Sequence, residues 1–201
     1  MPRHAAYRCT LEAPTRWRGR VIGDELVAGG AGLPQARRAL RERLLARSGG
    51  WEPGGLVEHV EHDLGDGLWL REALDDRSLD RDHTSGVVLE ALGDHRLRAE
   101  LAGLPEDSAG GVVVVSCAPG DRVDWLVQQH DGREALVVCA AVTNHRLWWN
   151  ALATAESGAV PTAGGLAELD LAEPGATVDE WMAAVDCGRL VTRAPTASPT
   201  G

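Results

Sequence analysis

Gly111-Val112-Val113-Val114-Val115-Ser116-Cys117 and Glu134-Ala135-Leu136-Val137-Val138-Cys139-Ala140-Ala141 are the stretches on which the fold turns. Each is a continuous apolar run rich in β-branched Val, and the first is closed by Pro119-Gly120. A run of this length without polar alternation marks a strand buried on both faces, as in a parallel sheet covered by helices. The residues between the runs suffice for a right-handed crossover, and Asp121 is placed to cap a helix carrying Val123, Leu126 and Val127. Beyond the second run, Thr143 or Asn144 predicts the cap of another helix, through Leu147, Trp148, Ala151, Leu152 and Ala155. Shorter pieces follow: a strand from Leu166 to Leu171, a helix from Val178 to Val185 and a strand from Arg189 to Arg193. Residues 194–201 read as a disordered tail.

Upstream of the first run, Leu104-Pro105-Glu106-Asp107-Ser108-Ala109-Gly110-Gly111 reads as a linker. Residues 68–104 read as helical, from Val87, Val88, Leu89, Leu92, Leu97, Leu101 and Leu104, with a break at Gly93-Asp94. The period changes again nearer the N-terminus. Tyr7 to Leu11 and Trp17 to Val21 alternate with period two, and Gly23-Asp24 is a hairpin signal leading into Glu25 to Ala28. Pro34 suits a first helical turn, after which Leu33, Ala36, Leu40 and Leu44 recur at helical spacing. A fourth strand is predicted from Leu56 to Leu64, closed by Gly65-Asp66-Gly67. The chain therefore reads as α/β: an N-terminal β-β-β-α-β unit (1–67), a helical connection and linker (68–108) and a small, mostly parallel α/β unit (109–193).

That order, with Tyr7 to Glu12, Trp17 to Val21 and Ala36-Arg37-Arg38-Ala39-Leu40-Arg41-Glu42-Arg43-Leu44, resembles the N-terminal domain of HicB-like antitoxins over residues 6–64. The resemblance implies a small non-catalytic domain that binds a protein partner in a toxin–antitoxin or defence setting. Nothing downstream reads as the helix-turn-helix or ribbon-helix-helix that such antitoxins often carry.

Composition narrows the classes further. All 20 basic residues are Arg, Phe is absent and Tyr appears once, a pattern that follows from GC-rich codons rather than from function. Most of the packing by aromatic rings therefore falls on the seven Trp. The net charge of -10 is uneven: the first 50 residues hold ten Arg against four acidic residues, a surplus of six positive charges, which leaves the remainder at -16. Such asymmetry suits either an acidic partner or two regions that attract each other within one fold. No window is apolar enough for a membrane span and no signal-peptide core is present, so a cytoplasmic protein with reduced thiols is expected. The four cysteines, Cys9, Cys117, Cys139 and Cys187, form no CxxC pair.

Candidate chemistry is sparse. Ligands of open parallel sheets gather at the carboxyl ends of strands, which singles out Cys117, Pro119, Gly120, Asp121 and Asp124 after the first run and Thr143, Asn144 and His145 after the second. Cys117 beside His145, with Asp121, would be the minimum for covalent catalysis, whereas a buried cysteine and helix caps explain the same residues without a substrate. Neither GxxxxGK[ST] nor GxGxxG is present, so no cofactor is expected. His59 and His62, three apart on a strand, fall on opposite faces and do not make a metal pair. His83, with Asp80 and Asp82, reads as a polar loop. Trp148-Trp149 is an interaction candidate, since consecutive helical positions would send one ring to the core and the other toward the rim, although both also fit a broad buried face. Arg37, Arg38 and Arg41 line one face of the first helix. The reading that follows is a non-enzymatic regulatory or protein-interaction protein, partner-binding through Trp148, Trp149, Arg37, Arg38 and Arg41. The alternatives are a small α/β enzyme using Cys117 or a nucleotide at the strand ends, and nucleic-acid binding by the Arg-rich first quarter, which the acidic remainder disfavours.

Overall fold

A computed structural model of the chain describes residues 3–22, 24–47, 56–74, 79–101, 111–122, 136–153, 166–168, 175–185 and 187–191. Within them the fold is α/β and its strands lie in one mixed sheet. The elements are β1 (Arg3–Ala13), β2 (Arg16–Val21), β3 (Val27–Gly30), α1 (Leu33–Arg47), β4 (Leu56–Asp63), β5 (Leu68–Ala73), α2 (Leu79–Gly93) and α3 (Arg96–Leu101), followed by β6 (Val112–Cys117), β7 (Leu136–Thr143), β8 (Arg146–Ala153), β9 (Leu166–Glu168), α4 (Val178–Ala184) and β10 (Gly188–Val191). The strand order is β10-β8-β7-β6-β5-β4-β1-β2-β3, and β9 pairs with the far end of β8. β1, β2 and β3 form an antiparallel meander, β4 lies parallel to β1, and β6 lies parallel to both β5 and β7. The N-terminal β-β-β-α-β order and the two parallel Val-rich strands are thus as read from the sequence. The helix expected after Asp121, the expected linker and the expected tail lie outside the described residues.

Three expectations are corrected. Residues 68–73 form a strand, not a helix: Leu68 and Leu70 face one core while Trp69 and Arg71 face the other side, a period-two pattern too short to stand out. Residues 146–153 are also a strand. Thr143 and Asn144 cap no helix, because Asn144 and His145 take left-handed backbone angles (φ 50° and 59°) as the two central residues of a tight hairpin turn, with Thr143 paired to Arg146. His83 lies in α2 and is exposed, rather than in a loop.

Both faces of the β5–β8 region are covered, which is why these strands carry continuous apolar runs. On the front, α2 and α3 pack Val88, Leu92, Leu97 and Leu101 against Leu70, Val114, Val138, Leu147 and Trp149. On the back, α4 packs Val178, Trp181 and Met182 against Val113, Val115, Val137 and Cys139. α4 opens with a capping box, Thr177 Oγ1 accepting from the Glu180 amide at 3.3 Å and the Glu180 carboxylate from the Thr177 amide at 2.9 Å. α1 covers the front of the meander with Ala36, Leu40 and Leu44, Leu40 closing on Tyr7, Val21 and the bare Cα of Gly19. No described helix is long and apolar enough to cross a membrane.

Gly188 shows how tightly one edge is packed. A Cβ there would stand 2.3 Å from the indole of Trp149, which is 1% exposed and has no room to move. Gly188→Ala is therefore expected to destabilise the protein by about 1–3 kcal/mol. An unchanged urea midpoint would show that the ring does not lie across β10.

Candidate binding face

Strand parity sorts the charged residues of the N-terminal half onto two faces. On the front, under α1, Glu58 is buried with Arg41 at 3.4 Å and Arg37 at 3.9 Å, and Tyr7 lies against it. Burial first, and then the neighbouring Glu58 carboxylate, push the Tyr7 phenol well above its ordinary range. The predicted trio therefore divides: Arg37 and Arg41 face a carboxylate within the fold, and Arg38 is exposed.

The back face carries a straight row of charge across four strands. Arg20 of β2 is in register with Arg8 of β1, Arg8 with Glu61 of β4, and Glu61 with Arg71 of β5. Glu61 is buried and held from both sides. Arg8 donates through Nε at 3.0 Å and Nη2 at 2.7 Å to Oε2, while Arg71 donates through Nε at 3.1 Å and through Nη2 to Oε1. Burial acts to raise the Glu61 carboxyl, but the two guanidiniums prevail and hold it below its ordinary value. The Arg8 guanidinium also stacks 3.5 Å over the Trp69 ring, which fixes its plane.

Beyond Arg8 the row leaves the core. Arg18 and Arg20 are exposed on this same back face, opposite to α1, and with Arg8, Thr10, Gly19, Val27 and Trp69 they line a cleft of about 340 Å³. Arg18 reaches Glu12 only at 3.4 Å, in solvent. Among the described residues no helix packs on this face of the meander, since α1 lies on the other side and α2, α3 and α4 lie over β5–β8.

Among the described residues, the β6 end singled out by the sequence is occupied by groups of the protein itself, and the β7 end is an exposed turn. Cys117 is fully buried with its Sγ 3.2 Å from that of Cys139, and burial, followed by the neighbouring thiol, pushes it well above the ordinary thiol range. His145 sits in the exposed β7–β8 turn, while the residue in register with Cys117 is Ala141. Asp121 forms a two-pronged ion pair with Arg81 of α2 and accepts from the Ala118 amide at 2.8 Å. The Pro119 and Asp121 carbonyls accept from the first turn of α4, at 3.0 and 2.7 Å. Thr84 bridges β6 and β7, donating to the Cys117 carbonyl at 3.1 Å and accepting from the Val142 amide at 3.2 Å. Gly120 belongs to the same turn, and Asp124 lies outside the described residues.

Trp148 and Trp149, successive on a strand, point to opposite faces. Trp149 is buried in the front core; Trp148 is half-buried on the back, its Nε1 donating to the Thr143 carbonyl at 3.4 Å and Arg189 lying 5.4 Å from its ring. His59 is buried on the back face of β4, and His62 on the front pairs with Glu72 at 2.8 Å. Among the described residues no group of three or more His, Cys, Asp or Glu could hold a metal. Sequence reasoning missed Glu61, Trp69 and Arg71 because short alternation does not show which charges end up inside. Comparison with protein-family models, curated proteins and solved structures finds no match.

Glu61→Gln leaves two guanidiniums without their counter-charge and is expected to cost about 3–5 kcal/mol at neutral pH. Since folding lowers this carboxyl, its contribution is present above the unfolded value of about 4.3 and disappears as pH falls through the lower folded value. Urea titrations across that range should show a flatter acid limb in the variant, and parallel limbs would refute the assignment. Cys117 should react with iodoacetamide only after unfolding; labelling in the native state at a free-cysteine rate would place it at an accessible site.

Proposed function

We propose that this chain is a non-catalytic binding protein that engages an acidic protein partner through the back face of β1, β2 and β3. One contrast carries the reading. The β6 end, where an α/β enzyme would gather its substrate, is occupied by Arg81–Asp121, Thr84 and α4, whereas the face bearing Arg8, Arg18 and Arg20 has no described helix upon it. Those guanidiniums are held on strands rather than loops, so little ordering entropy is lost when an acidic surface meets them. The β-β-β-α-β order that the HicB-like resemblance implied supports the same reading, and an antitoxin-like or defence role is the specific form of it that we favour. Nucleic acid is the less suitable partner, because the chain carries a net charge of -10 and the surplus of positive charge is confined to its first quarter.

Charge reversal separates this proposal from a structural role for the arginines. Arg18→Glu with Arg20→Glu should leave the thermal midpoint within a few degrees, since both side chains are exposed. Capture of the partner from source cells should fall by about tenfold or more, from the loss and reversal of two interface charges. Retention of every captured protein by the folded double variant would reject this face as the binding surface. Salt-sensitive binding of an oligonucleotide at physiological salt, abolished by the same pair, would replace the protein partner with nucleic acid.

A further inference from the structure

The row Val27–Arg20–Arg8–Glu61–Arg71–Val115 runs across neighbouring strands in register. Its charges alternate from Arg8 to Arg71 and fail to alternate between Arg20 and Arg8. Neighbouring strands stand about 4.8 Å apart, so two arginine side chains leave the sheet from directly opposed positions on one strand pair, an arrangement of like charges that destabilises a sheet and that an anion between them would relieve. Over the cleft and its supporting residues, Arg8, Arg16, Arg18, Arg20 and Arg71 face Glu12 and Glu61, a surplus of three positive charges. The unengaged donors are specific. Among the described residues, Arg8 uses Nε and Nη2 on Glu61, leaving Nη1, and the exposed Arg20 guanidinium makes no hydrogen bond or ion pair.

Resting on the binding face proposed above, we infer that this cleft is a phosphoryl-recognition subsite, in which Arg8, Arg18 and Arg20 take a phosphorylated side chain of the protein partner. A phosphomonoester brings close to two negative charges and three acceptor oxygens, which answers more of the surplus than the single charge of a carboxylate. The Arg8 plane, fixed by Trp69 and Glu61, supplies a pre-oriented donor, and Arg20 closes from the next strand. The cleft is half open and lies on the face of the sheet. A free small molecule needs most of its surface enclosed, so the phosphoryl group is one presented on a larger surface.

The test uses the full chain at physiological salt and a randomised peptide pool with central phosphoserine, against the same pool with serine. The phosphorylated pool is expected to bind and the serine pool to bind at least about tenfold more weakly, as befits the loss of charge-assisted hydrogen bonds. Arg20→Gln should weaken phosphopeptide binding by a similar factor with the thermal midpoint retained, and Arg146→Gln, an exposed arginine on β8, should have no effect. Equal binding of the two pools, or equal loss in both variants, overturns the inference. So does competition by glycerol phosphate at the peptide's own concentration, which would make the ligand a free phosphomonoester, or tighter binding of single-stranded DNA. If charge reversal abolishes partner capture while the phosphopeptide fails to bind, the subsite is wrong and the binding face stands. If reversal leaves capture intact, the face itself is wrong.

Discussion

Glu61 is the residue on which the two halves of the sheet meet. Its carboxylate is withdrawn from water, and it stays ionised only because Arg8 from the N-terminal meander and Arg71 from β5 grip one oxygen each. Either arginine alone would leave a buried charge half answered. Both present together fix three strands in one register, so that a slip of one residue between β1 and β4, or β4 and β5, would turn the carboxylate to the opposite face. The front of β4 repeats the device with Glu58 between Arg37 and Arg41. The charge split in the sequence therefore has an internal meaning: part of the basic excess of the first quarter is answered by acidic residues further along, in β4. Arg18 and Arg20 lie outside that internal pairing with β4, and their position on the back face gives them their interest.

How legible this was depends on how many faces of an element are covered. β6 and β7 could be read because their uninterrupted runs are short and rich in β-branched Val, and the first is closed by Pro119-Gly120. The same double coverage hid β8, where Leu147, Trp149 and Ala151 face the front and Trp148 and Asn150 the back. With both faces apolar, a strand has no alternation left and passes for a helix. The decisive local signal was Asn144-His145, which serves equally as a cap or as a turn until its left-handed backbone is seen. The strand positions of Arg8, Arg18 and Arg20 were legible from period-two spacing. Which side α1 would cover was not, because that depends on the handedness of a crossover and on Gly19 admitting Leu40.

A buried thiol at a strand end is a common sequence lure. Cys117 has the right residue type at the right topological position, and only packing distinguishes nucleophile from core. Here Cys117 is fully buried with its Sγ 3.2 Å from that of Cys139, and burial raises the thiol, the direction opposite to the one that activates a nucleophile. Asp121 ties the α2 side of the sheet to the β6 end through Arg81 while its carbonyl receives α4. The polar groups at this site serve one another.

The way the meander is embedded also decides how it can meet a partner. A free β-β-β-α-β unit would expose the outer edge of β4, and a partner strand could extend the sheet there. In this chain that edge is taken by β5, from His59–Ala73 to Asp63–Trp69. The opposite edge, β3, is four residues long, and Arg43 from α1 donates to the Val27 carbonyl, removing one acceptor from the ladder a visitor would need. Edge addition is thus blocked on one side and blunted on the other. Among the described residues the unit still offers its back face, and that face is charged rather than apolar, so the proposed partner would be recognised by matching anions to arginines held at strand spacing.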